Sequence, residues 1–350
     1  MITRSATLAA LLLCVAFGLS PALGAGPDNI SRIASAPSGP LALWTPDQLA
    51  EPRNAAQAKA ERSIRQLAAP DNNAPARLAP VEPLPTLPEA RHGVIRRVLL
   101  SSGDKRVALT FDLCERSVHV TGYDARLVDA LRAANAKATF FAGGKWLRSH
   151  PERGMQLMAD RRFELGNHAW THANMAVAPA EFRKWQLDWT SAQYELLRDE
   201  LNRRLAARGM AASNLGPFNL FRLPFGRGGA EVTRFLNGQG FAVIQWDVVG
   251  EGGTGNAQAR AQAIADAVRP GSIVLLHANA MPKDTAEVVR RLLPLLARKG
   301  YATATVSELL AAGRPEVVED GYFTLPGDNR IYDDMFAGYG SGERRAAGRK

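Results

Sequence analysis

Cysteine is nearly absent: the 350 residues contain two, Cys14 and Cys114. A disulfide-stapled scaffold is excluded, and loss of the first 25 residues would leave Cys114 with no partner in its own chain. No apolar run reaches the roughly 18 residues that suggest a membrane-spanning helix. No dinucleotide site is expected. There is no internal repeat, and no basic patch interleaved with aromatics, so nucleic acid is not an expected partner. Nothing in the sequence fixes an oligomeric state. What is present, 46% hydrophobic residues, is enough for one large domain with extensions.

The two ends differ from the middle. Residues 1–25 read as a signal peptide: Arg4 supplies the positive start, Leu8 to Leu19 the apolar stretch, and Ala22-Leu23-Gly24-Ala25 a small-residue cleavage zone. A secreted or periplasmic protein is the expectation. Residues 26–94 read as a Pro/Ala-rich arm or linker, since Pro70, Pro75, Pro80, Pro83, Pro85 and Pro88 crowd one stretch. Within it, 54–67 could form a polar helix with few apolar anchors. Residues 313–350 read as a tail ending in a basic cluster. The net charge of +9 suits an anionic envelope or polysaccharide partner.

Between these ends, over 95–312, short apolar runs alternate with amphipathic ones. Val107 to Phe111, Ala138 to Phe141, Phe163 to Gly166, Leu220-Phe221, Ala242 to Val249, Ser272 to Leu276 and Tyr301 to Val306 read as strands. Helices are expected over 123–136, 151–158, 179–207, 257–268 and 284–299, the last kinked at Pro294. Leu127, Val128 and Leu131 mark the buried face of the first; Phe182, Trp185, Leu187, Trp189, Leu196, Leu197 and Leu201 mark that of the long one. About seven parallel strands alternating with helices imply an α/β fold, a distorted (β/α) barrel, with an open doubly wound sheet as the other possibility.

Polar residues stand where the apolar runs stop. Asp112, His168 with His172, Arg222, Asp247 and His277 each fall at or just beyond a strand end, and in a barrel those ends share one face. His168 and His172, four residues apart, have the spacing of two zinc ligands on one helical turn. Ala169 occupies the place where metalloproteases of this spacing carry a base, so the base must come from elsewhere. A carboxylate, a metal-binding pair, an arginine and a further histidine suit metal-assisted hydrolysis.

The order Thr110-Phe111-Asp112, His168-x3-His172, Arg222-Leu223-Pro224-Phe225-Gly226, Trp246-Asp247 and Leu275-Leu276-His277 resembles the polysaccharide deacetylases, the NodB-homology enzymes of carbohydrate esterase family 4. The resemblance spans about 95–312. It implies a metal-dependent hydrolase, with zinc the expected divalent metal, that removes acetyl groups from polysaccharide or oligosaccharide. By position it implies Asp112 as general base, His168 and His172 as metal ligands, Arg222 as the arginine holding the base, and His277 as general acid. Phe225 falls where the family often has Tyr, a position whose backbone N–H meets the oxyanion.

Two departures bear on the site. The family's first motif usually reads Thr-Phe-Asp-Asp-Gly-Pro, and its second Asp binds metal; here that residue is Leu113, followed by Cys114 and Glu115. Glu115 is the expected replacement ligand, with Cys114 or water as alternatives. In the fourth motif the family's charge-relay Asp lies a few residues after Trp, whereas here Asp247 follows Trp246 directly and Val249 takes a later position, which leaves open whether Asp247, the candidate, supports His277. Trp185, Trp189 and Trp246 read as core, whereas Trp170 could line the groove. Two other functions fit the same pattern: an inactive carbohydrate-binding barrel of the envelope, or an amidase with a non-acetyl substrate.

Overall fold

The computed structural model describes residues 38–336; the expected signal peptide and the basic end after residue 336 lie outside the described residues. In chain order the strands are β1 (Arg65–Gln66), β2 (Val94–Leu100), β3 (Arg106–Leu113), β4 (His119–Val120), β5 (Ala138–Ala142) and β6 (Phe163–Asn167). They continue as β7 (Leu220–Phe221), β8 (Ala242–Ile244), β9 (Val248–Val249), β10 (Ile273–His277), β11 (Ala302–Ala304) and β12 (Gly313–Val318).

Seven of these form a parallel run in the order β2-β8-β7-β6-β5-β3-β10. The sheet curls until the residues before β10 return to β2, where Val98 N–H donates to the Gly271 carbonyl at 3.0 Å. This is the distorted barrel expected from the alternation. β9 adds to β10 and β11 to β3, both parallel, while β12 pairs antiparallel with β2.

β3 shows why the sheet folds this way. Val107, Leu109, Phe111 and Leu113 pack with the main core, whereas Ala108 belongs to a separate cluster with Phe141, Ile244 and Trp246. With a side-chain period of two, Thr110 and Asp112 share the face of Ala108, inside the curl. The helix Ala125–Ala133 packs behind it, capped by the Asp124 carboxylate on Arg126 N–H, with Leu127, Val128 and Leu131 buried as expected. The helix Thr285–Arg298 runs through Pro294 without ending there. Among the described residues no helix is long and apolar enough to cross a membrane.

The long helix Ala180–Ala206 departs from expectation. Leu187, Leu197 and Leu201 are buried, but Trp185 is 40% exposed, and Gln186, Thr190, Gln193 and Glu195 are buried instead. Two of these polar groups serve neighbouring segments. Gln186 accepts Thr171 N–H at 2.8 Å, and Glu195 accepts Val81 and Glu82 N–H at 2.7 and 3.0 Å.

That second contact also corrects the expected loose arm. From residue 38 the described chain is docked on the barrel. Leu41, Trp44 and Leu49 join the main core, and Trp44 Nε1 donates to Glu152 at 3.0 Å. Each buried leucine is worth roughly 1.5–3 kcal/mol. The helix expected over 54–67 spans Ala55–Glu61, capped by Asn54. Proline denies this segment most regular structure, yet side chains from the barrel helices satisfy its backbone. The described part of the expected tail is likewise built in, through β12 and a short helix, Ile331–Met335.

Candidate active site

Parallel register brings the strand-end residues together. His277 pairs with Asp112 across β10 and β3, Asp112 with Phe141, Ala142 with Asn167, and Asn167 with Phe221. His168 and Arg222 are the next residues on their chains, so one rim gathers Asp112, His168, Arg222 and His277.

Arg222 is fully buried and organises the inner side. Its Nη1 donates to Asp112 Oδ1 at 3.0 Å and to Thr110 Oγ1 at 2.7 Å; Nε and Nη2 donate to the Ile244 and Gln245 carbonyls at 3.2 Å each. The guanidinium lies 4.1 Å from the Phe141 ring centre. A buried charge needs such complete pairing. Asp112 is thereby fixed, with its other oxygen 3.6 Å from His168 Nε2.

The histidine pair does not lie on a helical turn. Residues 168–174 form a loop in which Ala169 (φ 63°) and His172 (φ 53°) take the left-handed conformation, bringing the two rings to 4.7 Å. Phe225 (φ 58°) and Ala280 (φ 63°) adopt it in neighbouring loops. Such residues cost on the order of 1–3 kcal/mol each and cluster where geometry serves function. The loop leans on Gly144: its N–H donates to the Ala169 carbonyl at 3.0 Å, and a Cβ there would sit 2.3 Å from the Trp170 ring. Trp170 itself is buried rather than lining the groove.

Cys114, not Glu115, meets the histidines. Its Sγ lies 3.4 Å from His168 Nε2, and the candidate ligand atoms of Cys114, His168 and His172 all fall within 4.8 Å of one another. The Arg222 carbonyl, 2.9 Å from His168 Nδ1, assigns the proton to that nitrogen and leaves Nε2 its lone pair. His172 Nδ1 is buried with no hydrogen-bond partner among the described residues. Burial raises the Cys114 thiol's pKa, but His172, His168 and His277 outweigh it and hold it well below the usual value. A thiolate and two imidazoles form a zinc donor set that leaves a fourth position open, so these residues fit the expected metal.

Glu115 points the other way. Its Oε1 accepts Lys145 Nζ at 2.8 Å and Ser149 Oγ at 2.6 Å, and its Oε2 accepts Thr121 N–H at 3.0 Å. Both charged side chains are wholly buried. Consecutive residues leaving β3 face opposite sides, so one reaches the site and the next anchors the loop.

Asp247 does not support His277. It accepts Ser272 Oγ at 2.8 Å and Ile273 N–H at 2.9 Å, at the start of β10, whereas His277 ends that strand. Four residues of strand separate these positions by about 13 Å. Glu251 fills the role instead, with Oε2 2.6 Å from His277 Nδ1 and Oε1 accepting His277 N–H at 2.7 Å. The sequence reading missed Glu251, although an acid five residues after Trp246 was its available signal.

Phe225 lies in a tight turn, Pro224–Gly226, its ring 4.4 Å from that of His172. Cys114, His172, Phe225 and His277 open onto a cleft of about 780 Å³, with Ile64 and Met281 among its other walls.

A family profile described as polysaccharide deacetylase matches residues 100–244. Residues 100–244 thus carry the polysaccharide deacetylase match that the strand-end motifs led us to expect. The chitooligosaccharide deacetylase of Azorhizobium caulinodans is 26% identical over 187 residues, covering 50% of this chain and 81% of the relative. The peptidoglycan-N-acetylglucosamine deacetylase of Bacillus cereus is 25% identical over 217 residues, covering 60% and 90%. Among solved structures, the Bc1960 peptidoglycan N-acetylglucosamine deacetylase superposes with a TM-score of 0.50 at 20% identity, covering 65% of this chain and 96% of that one, a likeness of fold. Around this match Asp112, His168, His172, Arg222 and His277 converge; Glu115 and Asp247 stand apart, while Cys114 lies against the histidine pair and Glu251 against His277.

Proposed function

We propose that this protein is an exported, metal-dependent polysaccharide deacetylase, a hydrolase that removes acetyl groups from N-acetylated polysaccharide or oligosaccharide. The observation that carries the reading is the Cys114–His168–His172 cluster beside Asp112 and His277 on one rim. The substrate class follows the chitooligosaccharide and peptidoglycan deacetylases among the relatives. Export follows the signal-like residues 1–25.

Cys114, His168 and His172 would hold the metal, zinc by donor set, and when bound it supplies Lewis-acid polarisation of the acetyl carbonyl and of the attacking water. Asp112, oriented by Arg222, takes the proton from that water as oxygen bonds to the carbonyl carbon. The Phe225 backbone N–H donates to the oxyanion. His277 then gives its proton to the nitrogen as the carbon–nitrogen bond breaks, releasing acetate and a free amine. Burial favours neutral His277, but Glu251 and Cys114 outweigh it and raise its pKa well above the usual value.

The test is acetate release from N-acetylated oligosaccharides and peptidoglycan, before chelation, after it, and after zinc is restored. Release that chelation stops and zinc restores supports the reading. Sugar binding without release would favour the inactive carbohydrate-binding barrel.

A further inference from the structure

The described end of the chain packs against two loops of the site. Asp333, on the short helix Ile331–Met335, links two loops that are distant in sequence. Its Oδ1 accepts Asn174 Nδ2 at 2.9 Å and Arg227 Nε at 2.9 Å, and its Oδ2 accepts Arg227 Nη2 at 2.6 Å. Asn174 also donates to the Tyr332 carbonyl at 3.1 Å, and its own Oδ1 accepts Ala176 N–H at 3.1 Å, which fixes the amide orientation.

The positions of these partners matter. Asn174 follows His172 by two residues, and Arg227 follows Phe225 by two. One carboxylate therefore ties the loop bearing a metal-ligand candidate to the loop bearing the oxyanion-donor candidate. Aromatic packing repeats the connection: Phe336 and Tyr332 lie 4.3 and 5.0 Å from the Phe225 ring, which lies against His172. His172 and Phe225 are both left-handed, a conformation that L side chains hold only when their surroundings impose it.

We propose that Asp333 is a positioning residue for deacetylation, setting the His172 and Phe225 loops relative to each other from the C-terminal segment. The inference rests on the deacetylase reading for its effect on turnover, but not for its effect on metal affinity or loop protection. Asp333 touches no reacting atom. Its influence runs through Asn174 and Arg227, in the way outer hydrogen-bond partners orient metal ligands.

The test compares wild type with Asp333→Ala, Asp333→Asn, Asn174→Ala and the Asn174→Ala/Asp333→Ala double variant. Zinc affinity is read by competition with a chromogenic chelator, kcat and KM by acetate release, and amide hydrogen exchange over 169–178 and 222–228. Asp333→Ala should lower zinc affinity and kcat by about 10–100-fold with little change in KM, and speed exchange in both segments. Asp333→Asn, which keeps an acceptor, should lose less, and the double variant should lose less than the sum of the two single losses. If Asp333→Ala does not fold, Asp333→Asn carries the test. A folded variant with unchanged zinc affinity, kcat and exchange overturns the proposal. Absent turnover in wild type would sink the deacetylase reading, while zinc affinity and exchange would still decide the clamp.

Discussion

Glu251 grips His277 twice, accepting its backbone N–H at 2.7 Å through one oxygen and meeting Nδ1 at 2.6 Å through the other. Thr285 Oγ1 steadies the first of these oxygens at 3.1 Å. This pairing fixes the ring, assigns its tautomer and leaves Nε2 to carry the mobile proton. It sits where the sequence pointed to Asp247, and it gives the acid of the proposed mechanism its electrostatic partner.

The pH profile should register the pair. His277 is held protonated above its usual range, because Glu251 and Cys114 overcome the opposing effect of burial. The proton is lost as pH rises through that raised pKa, so activity should fall on the alkaline side. Glu251→Gln removes a stabilising negative charge, lowers the His277 pKa, and should move the alkaline limb down by about 1–3 pH units. An unmoved limb in a folded Glu251→Gln variant would mean that another group sets it.

Glu115 and Lys145 should matter to stability instead. Each is wholly buried, and the Lys145 ammonium also donates to the His119 carbonyl at 2.7 Å. Lys145→Met leaves the Glu115 carboxylate buried without its counter-charge, a change worth about 3–5 kcal/mol. A markedly lower denaturation midpoint is expected. Glu115→Gln should keep zinc affinity near wild type even where stability falls. Loss of zinc from a folded Glu115→Gln protein would restore Glu115 as a ligand.

The sequence disclosed most of the fold because its signals were periodic and local. β3 shows this: its apolar run and terminal Asp112 needed no tertiary information to be read as a buried strand with a functional end. The same logic located Arg222 and His277. It failed where the deciding quantity was direction. On leaving β3, Cys114 and Glu115 are neighbours in sequence but face opposite sides, and the preference of a carboxylate for metal says nothing about which side it faces. Lys145, thirty residues away, decides that Glu115 turns away from the site. Asp247 failed for a related reason, since β9 and the turn after it carry the chain to the rim before Glu251 supplies the acid. The helical reading of His168 and His172 rested on spacing alone; Ala169 and His172 reach the same convergence through left-handed backbone.

The proline-rich arm and the expected tail misled for another reason. Composition marks a segment that forms little regular structure, but docking depends on partners elsewhere. Glu195 and Arg153 hold the arm through its backbone, and Asp333 holds the end of the described chain through Asn174 and Arg227.

The central claim is that Cys114 completes the metal site. It is tested most directly by loading the protein lacking residues 1–25 with cobalt(II) in place of zinc and recording the near-ultraviolet spectrum of wild type, Cys114→Ser and Glu115→Gln. A thiolate-to-cobalt charge-transfer band is expected in wild type and in Glu115→Gln, and should vanish in Cys114→Ser together with about 10–100-fold of metal affinity. Cobalt bound in wild type without that band, and bound equally well by Cys114→Ser, would contradict the assignment and remove the thiol from the site.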